Sequence, residues 1–89
     1  MFLHIGQNYM LAKNTVIGIF DLDNTSASHL TRAFLARMEK EGHVVNAAED
    51  LPKSFVLCTD NGVPTVYLSQ LSYQTLLRRS RQPSFEGME

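Results

Sequence analysis

The sequence predicts a small α+β protein with a largely antiparallel sheet, one long central helix and a short C-terminal helix. Two observations support this fold class. Short apolar runs with strand character lie on both sides of a single amphipathic segment that is long enough to be a helix. After that segment, an Asn-Gly pair stands between two further apolar runs, as is typical of a β-hairpin.

Three strands are predicted before the helix. Residues 2–6 form a short strand that ends at a glycine, and residues 9–12 form a second one. The polar residues 13–15 are typical of a turn. Residues 16–20 are apolar and largely β-branched, which predicts a strand covered on both faces. The interior Gly18 indicates close packing or a bulge.

The helix is predicted from Ser26 to Glu41. Apolar residues recur at spacings of three and four and so form one stripe. Thr25 or Ser26 is expected to cap the first turn, and Gly42 is expected to end the helix in a left-handed conformation. The predicted stripe contains Ala27, Leu30, Phe34 and Met38, and the residues expected to face water are Arg32, Arg37 and Lys40.

The second half of the chain is predicted as strands followed by a short helix. Residues 43–46 are a short strand and residues 47–52 a loop. Residues 54–59 and 65–69 are the two strands of the hairpin, with 60–64 between them. Ser72 is expected to cap a last helix from Tyr73 to about Ser80. We expect a single domain over residues 1–80 and a flexible tail over residues 81–89.

Composition limits the classes of function. Hydrophobic residues make up 44% of the chain and charged residues 19%, which predicts a folded protein. The net charge of -1 means that a DNA-binding surface would have to be a local patch. No apolar run approaches the roughly 20 residues of a membrane span, and the first residues lack the features of a signal peptide. We therefore expect a cytoplasmic protein with no membrane contact.

The small size of the chain predicts self-association. A core in 89 residues buries a smaller share of the surface than a larger core does. Cys58 is the only cysteine, which excludes an internal disulfide and suits a reducing compartment. His4, His29 and His43 are too scattered in sequence to form a local metal motif. We expect no metal and no cofactor, so partner subunits are the remaining source of burial.

One motif resembles a catalytic site. Residues 20–25, Phe-Asp-Leu-Asp-Asn-Thr, follow an apolar strand and are similar to the first motif of the haloacid-dehalogenase phosphatases. That resemblance implies Asp21 as the phosphoryl-accepting nucleophile and Asp23 as a general acid–base beside Mg²⁺. The phosphatase fold needs a parallel, doubly wound sheet, for which 89 residues are too few. We therefore interpret these residues as the end of a strand and a turn.

Several segments, in order, resemble the RemA/RemB-like extracellular matrix regulators of Firmicutes. They are residues 2–6, 12–19, 52–57 and 67–76, together with the helix closed by Gly42. The similarity covers roughly residues 1–80 and is closer to the RemB branch, particularly at His4, at residues 18–21 and at residues 52–54. No single motif is diagnostic, and the specificity lies in the full-length pattern.

The resemblance implies a DNA-binding regulator of matrix and biofilm genes. Proteins of this type are similar to LytTR-type DNA-binding domains and assemble into rings that wrap DNA through loop arginines. The two corresponding loops here are residues 13–15 and 51–53. Thr15 stands where the RemA-like pattern has an arginine, and Leu51-Pro52 replace a basic pair. An arginine offers several donors in a plane, which a lysine does not reproduce.

The combined expectation is a ring-shaped homo-oligomer that binds double-stranded DNA and is not an enzyme. Each exposed lysine would be repeated around the ring, so weak local charges would add into a basic track. No small-molecule substrate is expected. Two alternatives remain, a ring that serves as an interaction scaffold without DNA, and a Mg²⁺-dependent phosphatase that uses Asp21 and Asp23. The expected DNA-contacting residues are Lys13, Asn14 and Lys53, assisted by Arg32 or Arg78.

Overall fold

The computed structural model describes residues 2–23 and 28–81, and it confirms the α+β class. Six strands and two α-helices are present in this part of the chain. A single 3₁₀ turn, Lys13–Thr15, lies between the second and third strands. In chain order the elements are β1 Phe2–Gly6, β2 Tyr9–Ala12, β3 Val16–Asp21, α1 His29–Lys40, β4 Val44–Asn46, β5 Ser54–Asp60, β6 Val63–Ser69 and α2 Tyr73–Ser80.

The strands form two sheets, where the sequence predicted one. Strands β1 and β2 pair only with each other, and the remaining strands form a second sheet in the order β3-β5-β6-β4. The predicted antiparallel character is confirmed for three of the four strand pairs, while β4 and β6 run parallel. Helix α1 lies in the long connection between β3 and β4.

The molecule has three layers, because each face of the larger sheet is covered separately. Side chains alternate along β5, as strand geometry requires. Val56 and Cys58 face a core formed with the β1–β2 hairpin and α2. Phe55 and Leu57 face a second core formed with α1. The two helices therefore pack on opposite faces of one sheet.

Two buried serines join the β1–β2 hairpin and the start of α2 to the sheet. The Ser69 hydroxyl donates to the carbonyl oxygen of Ile5 at 2.6 Å and accepts from the N–H of Leu71 at 3.1 Å. The Ser54 hydroxyl donates to the carbonyl oxygen of Leu71 at 2.7 Å. Satisfying buried polar groups in this way fixes the position of the layers, since an unpaired group would cost about 1–3 kcal/mol.

Helix α1 differs from its prediction at the N-terminus. It begins at His29, and Ser28 is the cap, with its hydroxyl accepting from the N–H of Thr31 at 3.2 Å. The predicted caps Thr25 and Ser26 lie outside the described residues, as does Ala27 of the predicted stripe. The C-terminal prediction is confirmed, because Gly42 has a φ of +80°.

The buried face of α1 was also partly mispredicted. Leu30 is 70% exposed, so it does not belong to the core-facing stripe. The packed residues are Phe34, Leu35 and Met38, which contact the sheet near β4 and β6. With 12 residues and a position over one half of the sheet, α1 is of ordinary length and is not clearly central. Arg32, Arg37 and Lys40 are exposed as predicted.

Strand β3 was predicted to be covered on both faces, and this is wrong. It is an edge strand of its sheet, and Ile17 and Phe20 are 58% and 42% exposed. The register shifts between Val16 and Gly18, as in a β-bulge. The Phe20 ring stacks on Phe55 with centroids 4.8 Å apart. A Cβ on Gly18 would lie 2.9 Å from the Phe20 ring, so glycine makes room for this arrangement.

The predicted hairpin and the C-terminal helix are confirmed. Asn61 and Gly62 have φ values of +54° and +82°, the positive values that a two-residue hairpin turn favours. The strands extend to Asp60 and Val63, so the connection is shorter than the predicted 60–64. Helix α2 is capped by the Ser72 hydroxyl, which accepts from the N–H of Thr75 at 3.1 Å.

Candidate nucleic-acid interface

The first candidate loop is the 3₁₀ turn that holds Lys13 and Asn14. Its backbone is fixed by the Thr15 hydroxyl, which donates to the carbonyl oxygen of Ala12 at 2.7 Å. Asn14 is exposed, while Lys13 is half-buried at the rim of a groove of about 300 Å³. The floor of this groove is apolar and includes Leu3 and Leu77. Lys13 therefore lies beside a mostly apolar groove and is partly covered.

The C-terminal turn of α2 lies beside the Lys13 loop. Ser80 and Leu77 line the same groove as Lys13. Arg78 and Arg81 are exposed, and Arg78 lies in the last helical turn, where positive charge is favourable for the helix dipole. The structure thus places the turn of α2 that carries Arg78 next to the Lys13 loop, although the two are far apart in sequence.

The second candidate loop ends at Lys53, whose backbone is held at three points. Its N–H donates to the carbonyl oxygen of Ser69, and its own carbonyl oxygen accepts from the N–H groups of Leu22 and Asp23. These three distances lie between 2.8 and 2.9 Å. The Lys53 side chain is exposed, so a well-anchored backbone presents it to solvent.

Two acidic residues share a depression with Lys53. Glu49, Asp50 and Lys53 line one depression of about 500 Å³. Among the described residues, those that line the groove beside Lys13 are apolar or neutral. The neighbouring carboxylates of Glu49 and Asp50 offset the attraction of Lys53 for phosphate.

Arg32 lies on α1, close to the Lys53 loop. It lines a groove together with Pro52, the residue immediately before Lys53, and with Leu22. The structure therefore divides the predicted site into two groups. One is Lys13 and Asn14 with Arg78, and the other is Lys53 with Arg32.

The two groups lie at opposite ends of β3. Lys13 precedes Val16, the first residue of that strand. Lys53 precedes Ser54, which pairs with Asp21 at the other end. Six residues of strand separate them, a distance of roughly 20 Å. Within one protomer the candidate residues therefore do not form a single patch.

Sequence reasoning missed two apolar patches on the surface. The outer face of the β1–β2 hairpin exposes Phe2, His4 and Met10, of which Phe2 and Met10 are 58% and 59% exposed. We call these three residues the hairpin patch. Ile17 and Phe20 on β3 are also exposed, and we call these two residues the edge patch. The alternation of exposed and buried residues along β1 was the available signal for the hairpin patch.

The Asp21–Asp23 segment has the geometry of a turn. The N–H of Asp23 donates to Oδ1 of Asp21 at 2.9 Å, the local bond that aspartate makes where a strand ends. The strand before it is the edge of a mostly antiparallel sheet. The haloacid-dehalogenase phosphatases need a parallel, doubly wound sheet, so the fold does not match that resemblance.

No metal centre is formed by the described residues. Within them, His, Cys, Asp and Glu side chains do not gather in any group of three or more that could hold an ion.

Neither of the two helices that the structure describes has the length and apolar character needed to cross a bilayer.

Cys58 is expected to react with a thiol reagent only after the protein unfolds. Burial raises the pKa of its thiol above the ordinary value of 9.0, and a hydrogen bond with Thr15 opposes this less strongly. The folded chain therefore holds the thiol proton more tightly than the unfolded chain does. The contribution of Cys58 to the free energy of unfolding is fully present below pH 9.0 and is lost as the pH rises above that value. Disulfide-reagent kinetics at neutral pH, with and without urea, test this, and rapid labelling of the native protein would contradict it.

The fold and its surface define a small α+β protein that carries its charged and apolar groups on exposed loops, strand edges and helix ends. The family model described as RemA-like, extracellular matrix regulatory protein A-like, matches residues 2–79. The chain is also 30% identical over 81 residues to extracellular matrix regulatory protein B of Bacillus subtilis (strain 168). That alignment covers 91% of each protein. The chain therefore belongs to the RemA-like family of extracellular matrix regulatory proteins.

Proposed function

We propose that this protein is a cytoplasmic, non-catalytic regulator of extracellular matrix and biofilm genes that binds double-stranded DNA as a homo-oligomeric ring. Membership of the family, over residues 2–79, is the observation that carries the proposal. A LytTR-like mode of DNA binding is part of it. The arrangement of the apolar patches supports assembly into a ring, and the arrangement of the basic loops supports DNA binding by that ring.

Ring assembly requires two different surfaces on each protomer. A head-to-tail contact joins one patch to another and closes into a ring when the rotation permits. The hairpin patch, which is apolar apart from His4, and the edge patch lie on different strands. Strand β3 also has one side that pairs with no strand among the described residues. Such an edge favours association with another chain.

DNA binding follows from repetition of the basic loops around the ring. One protomer carries Lys13 and Lys53 about a strand length apart, which is too sparse for a strong patch. In a ring, every protomer adds the same lysines, and each phosphate contact releases counterions. This accounts for DNA binding by a chain whose net charge is only -1.

Fluorescence anisotropy of a labelled DNA duplex, at low and at physiological salt, tests the proposal. We expect binding that weakens steeply with salt, since phosphate contacts dominate the affinity. Light scattering on the same sample should give a mass of several protomers. Absence of binding at low salt, with the oligomer intact, would reject the DNA-binding part of the proposal.

A scaffold that no longer binds DNA is the second candidate function. Two observations favour it. Thr15 stands at a position where the family resemblance implies an arginine, and Leu51-Pro52 replace a basic pair. The remaining Lys53 shares its depression with Glu49 and Asp50. The anisotropy experiment separates the candidates, because both need the ring and only one needs DNA.

Ile17→Lys is expected to disrupt the ring. Ile17 is apolar and 58% exposed at the bulge of β3, so a lysine there would place an unpaired charge in the contact. Light scattering coupled to size exclusion should show the mass falling towards that of a monomer. Leu51→Lys is the matched control, since Leu51 is 79% exposed in a loop outside both patches. Equal masses for the two variants would contradict the role of the edge patch.

A further inference from the structure

An apolar groove runs along one side of α1. It has a volume of about 330 Å³ and lies between the helix and the end of the larger sheet. Leu35 of α1 forms one wall. The opposite wall is apolar and consists of Leu22, Val44, Pro52 and Leu68. This groove is separate from both the hairpin patch and the edge patch.

The helical wall of the groove carries opposite charges at its two ends. Arg32 and Glu39 both line the groove, and both are exposed. They are seven residues apart, which places them on one side of the helix about 10 Å apart along its axis. Ala36 lies between them, lines the groove and is exposed. Its small side chain leaves room for close approach by another helix.

We propose that this groove is a two-fold contact in which α1 of one protomer packs antiparallel to α1 of a second copy. An antiparallel arrangement centred beside Ala36 brings Arg32 opposite Glu39 of the second copy, and the symmetry repeats the pair. A parallel arrangement would instead place Arg32 against Arg32. The charge pattern therefore selects both the orientation and a second copy of this chain as the occupant.

This contact differs in kind from the proposed ring. A two-fold contact uses the same surface on both partners, whereas a ring uses two different ones. The α1 contact therefore stands whether or not the ring forms or DNA binds. If the ring also forms, the two contacts together would join rings in pairs.

Charge reversal tests the pairing directly. The two-fold contact contains two equivalent pairs of Arg32 and Glu39. Glu39→Arg places an arginine opposite Arg32 in both pairs, and Arg32→Glu places a glutamate opposite Glu39 in both pairs. Each is expected to raise the dissociation constant of the two-fold contact at least about tenfold, halving the assembly mass in sedimentation at limiting concentration. The double variant Arg32→Glu with Glu39→Arg restores complementary pairs and should recover the wild-type mass. Glu41→Arg, an exposed charge change outside the groove, is the control.

Disulfide trapping gives a second test that does not depend on the charge variants. Ala36→Cys lies beside the proposed axis, so oxidation should yield a covalent dimer. Gln74→Cys, exposed on α2, should not. The native Cys58 is buried and does not interfere. The proposal is overturned if both charge reversals keep the wild-type mass, or if Ala36→Cys is trapped no faster than Gln74→Cys.

Discussion

Replacement of Lys13 by alanine is expected to weaken binding of duplex DNA at least about tenfold at low salt. The expected effect is large because, in the proposed ring, one substitution removes a positive charge from every protomer. For each lysine that contacts a phosphate, the slope of log affinity against log salt should also fall by about 0.9. Anisotropy titrations at several salt concentrations measure both quantities in one experiment.

We expect Lys13 to contribute more to DNA binding than Lys53. The α2 turn that carries Arg78 lies beside the groove that Lys13 lines. Lys53 shares its depression with Glu49 and Asp50, whose carboxylates offset its charge. We therefore expect Lys53→Ala to weaken binding at all sequences and reduce the salt slope, but by less than Lys13→Ala does.

Lys40→Ala is the matched control for both variants. Lys40 is exposed on α1, and its loss changes the net charge by the same amount. If Lys40→Ala lowers the affinity and the salt slope as much as Lys13→Ala, the effect is one of net charge and the Lys13 loop is not the contact. An unchanged slope in Lys53→Ala would remove that residue from the interface.

Sequence reasoning predicted the elements whose causes are local. The hairpin depends on Asn61 and Gly62, which adopt positive φ at little cost, and the pattern needs no distant partner. The same holds for the Ser72 cap of α2 and for Gly42 after α1. Each of these signals acts within a few residues of the structure that it specifies.

The errors concern partners distant in sequence. Nothing within Val16–Asp21 specifies that β3 is an edge strand, and only the sheet order leaves Ile17 exposed. Leu30 fitted the helical period, but α1 contacts the sheet through a neighbouring face. Division into two sheets follows from burial of the β1–β2 hairpin against β5, which is also non-local.

For the candidate site, too, sequence reasoning predicted local features and missed those that depend on residues distant in sequence. The sequence correctly placed Lys13 and Lys53 next to strands, but Lys13 is half-buried in a 3₁₀ turn and only Lys53 is exposed. Their separation follows from the antiparallel register of β3 and β5, which pairs Asp21 with Ser54. This separation is the reason why the proposed basic track would require assembly of several protomers.

Leu76→Ala is expected to destabilise the fold by about 2–5 kcal/mol, the range for a buried leucine reduced to alanine. Leu76 is fully buried and is the residue by which α2 enters the core beneath the β1–β2 hairpin. Small domains have free energies of unfolding of about 5–15 kcal/mol, so the cavity left by this substitution would remove a large part of the total stability. Urea unfolding followed by circular dichroism, at one fixed protomer concentration because assembly adds stability, measures the loss.

Leu30→Ala supplies the control, since it removes the same atoms from a helical leucine that is 70% exposed. The free energy of unfolding of Leu30→Ala should stay within about 0.5 kcal/mol of the wild-type value. Leu76 anchors the helix whose Leu77 and Ser80 line the same groove as Lys13, so the Leu76→Ala variant should lose DNA affinity before it unfolds. Equal stability for the two alanine variants would show that α2 does not anchor the hairpin. A destabilised Leu76→Ala protein with unchanged DNA affinity would show instead that the Lys13 loop is positioned without α2.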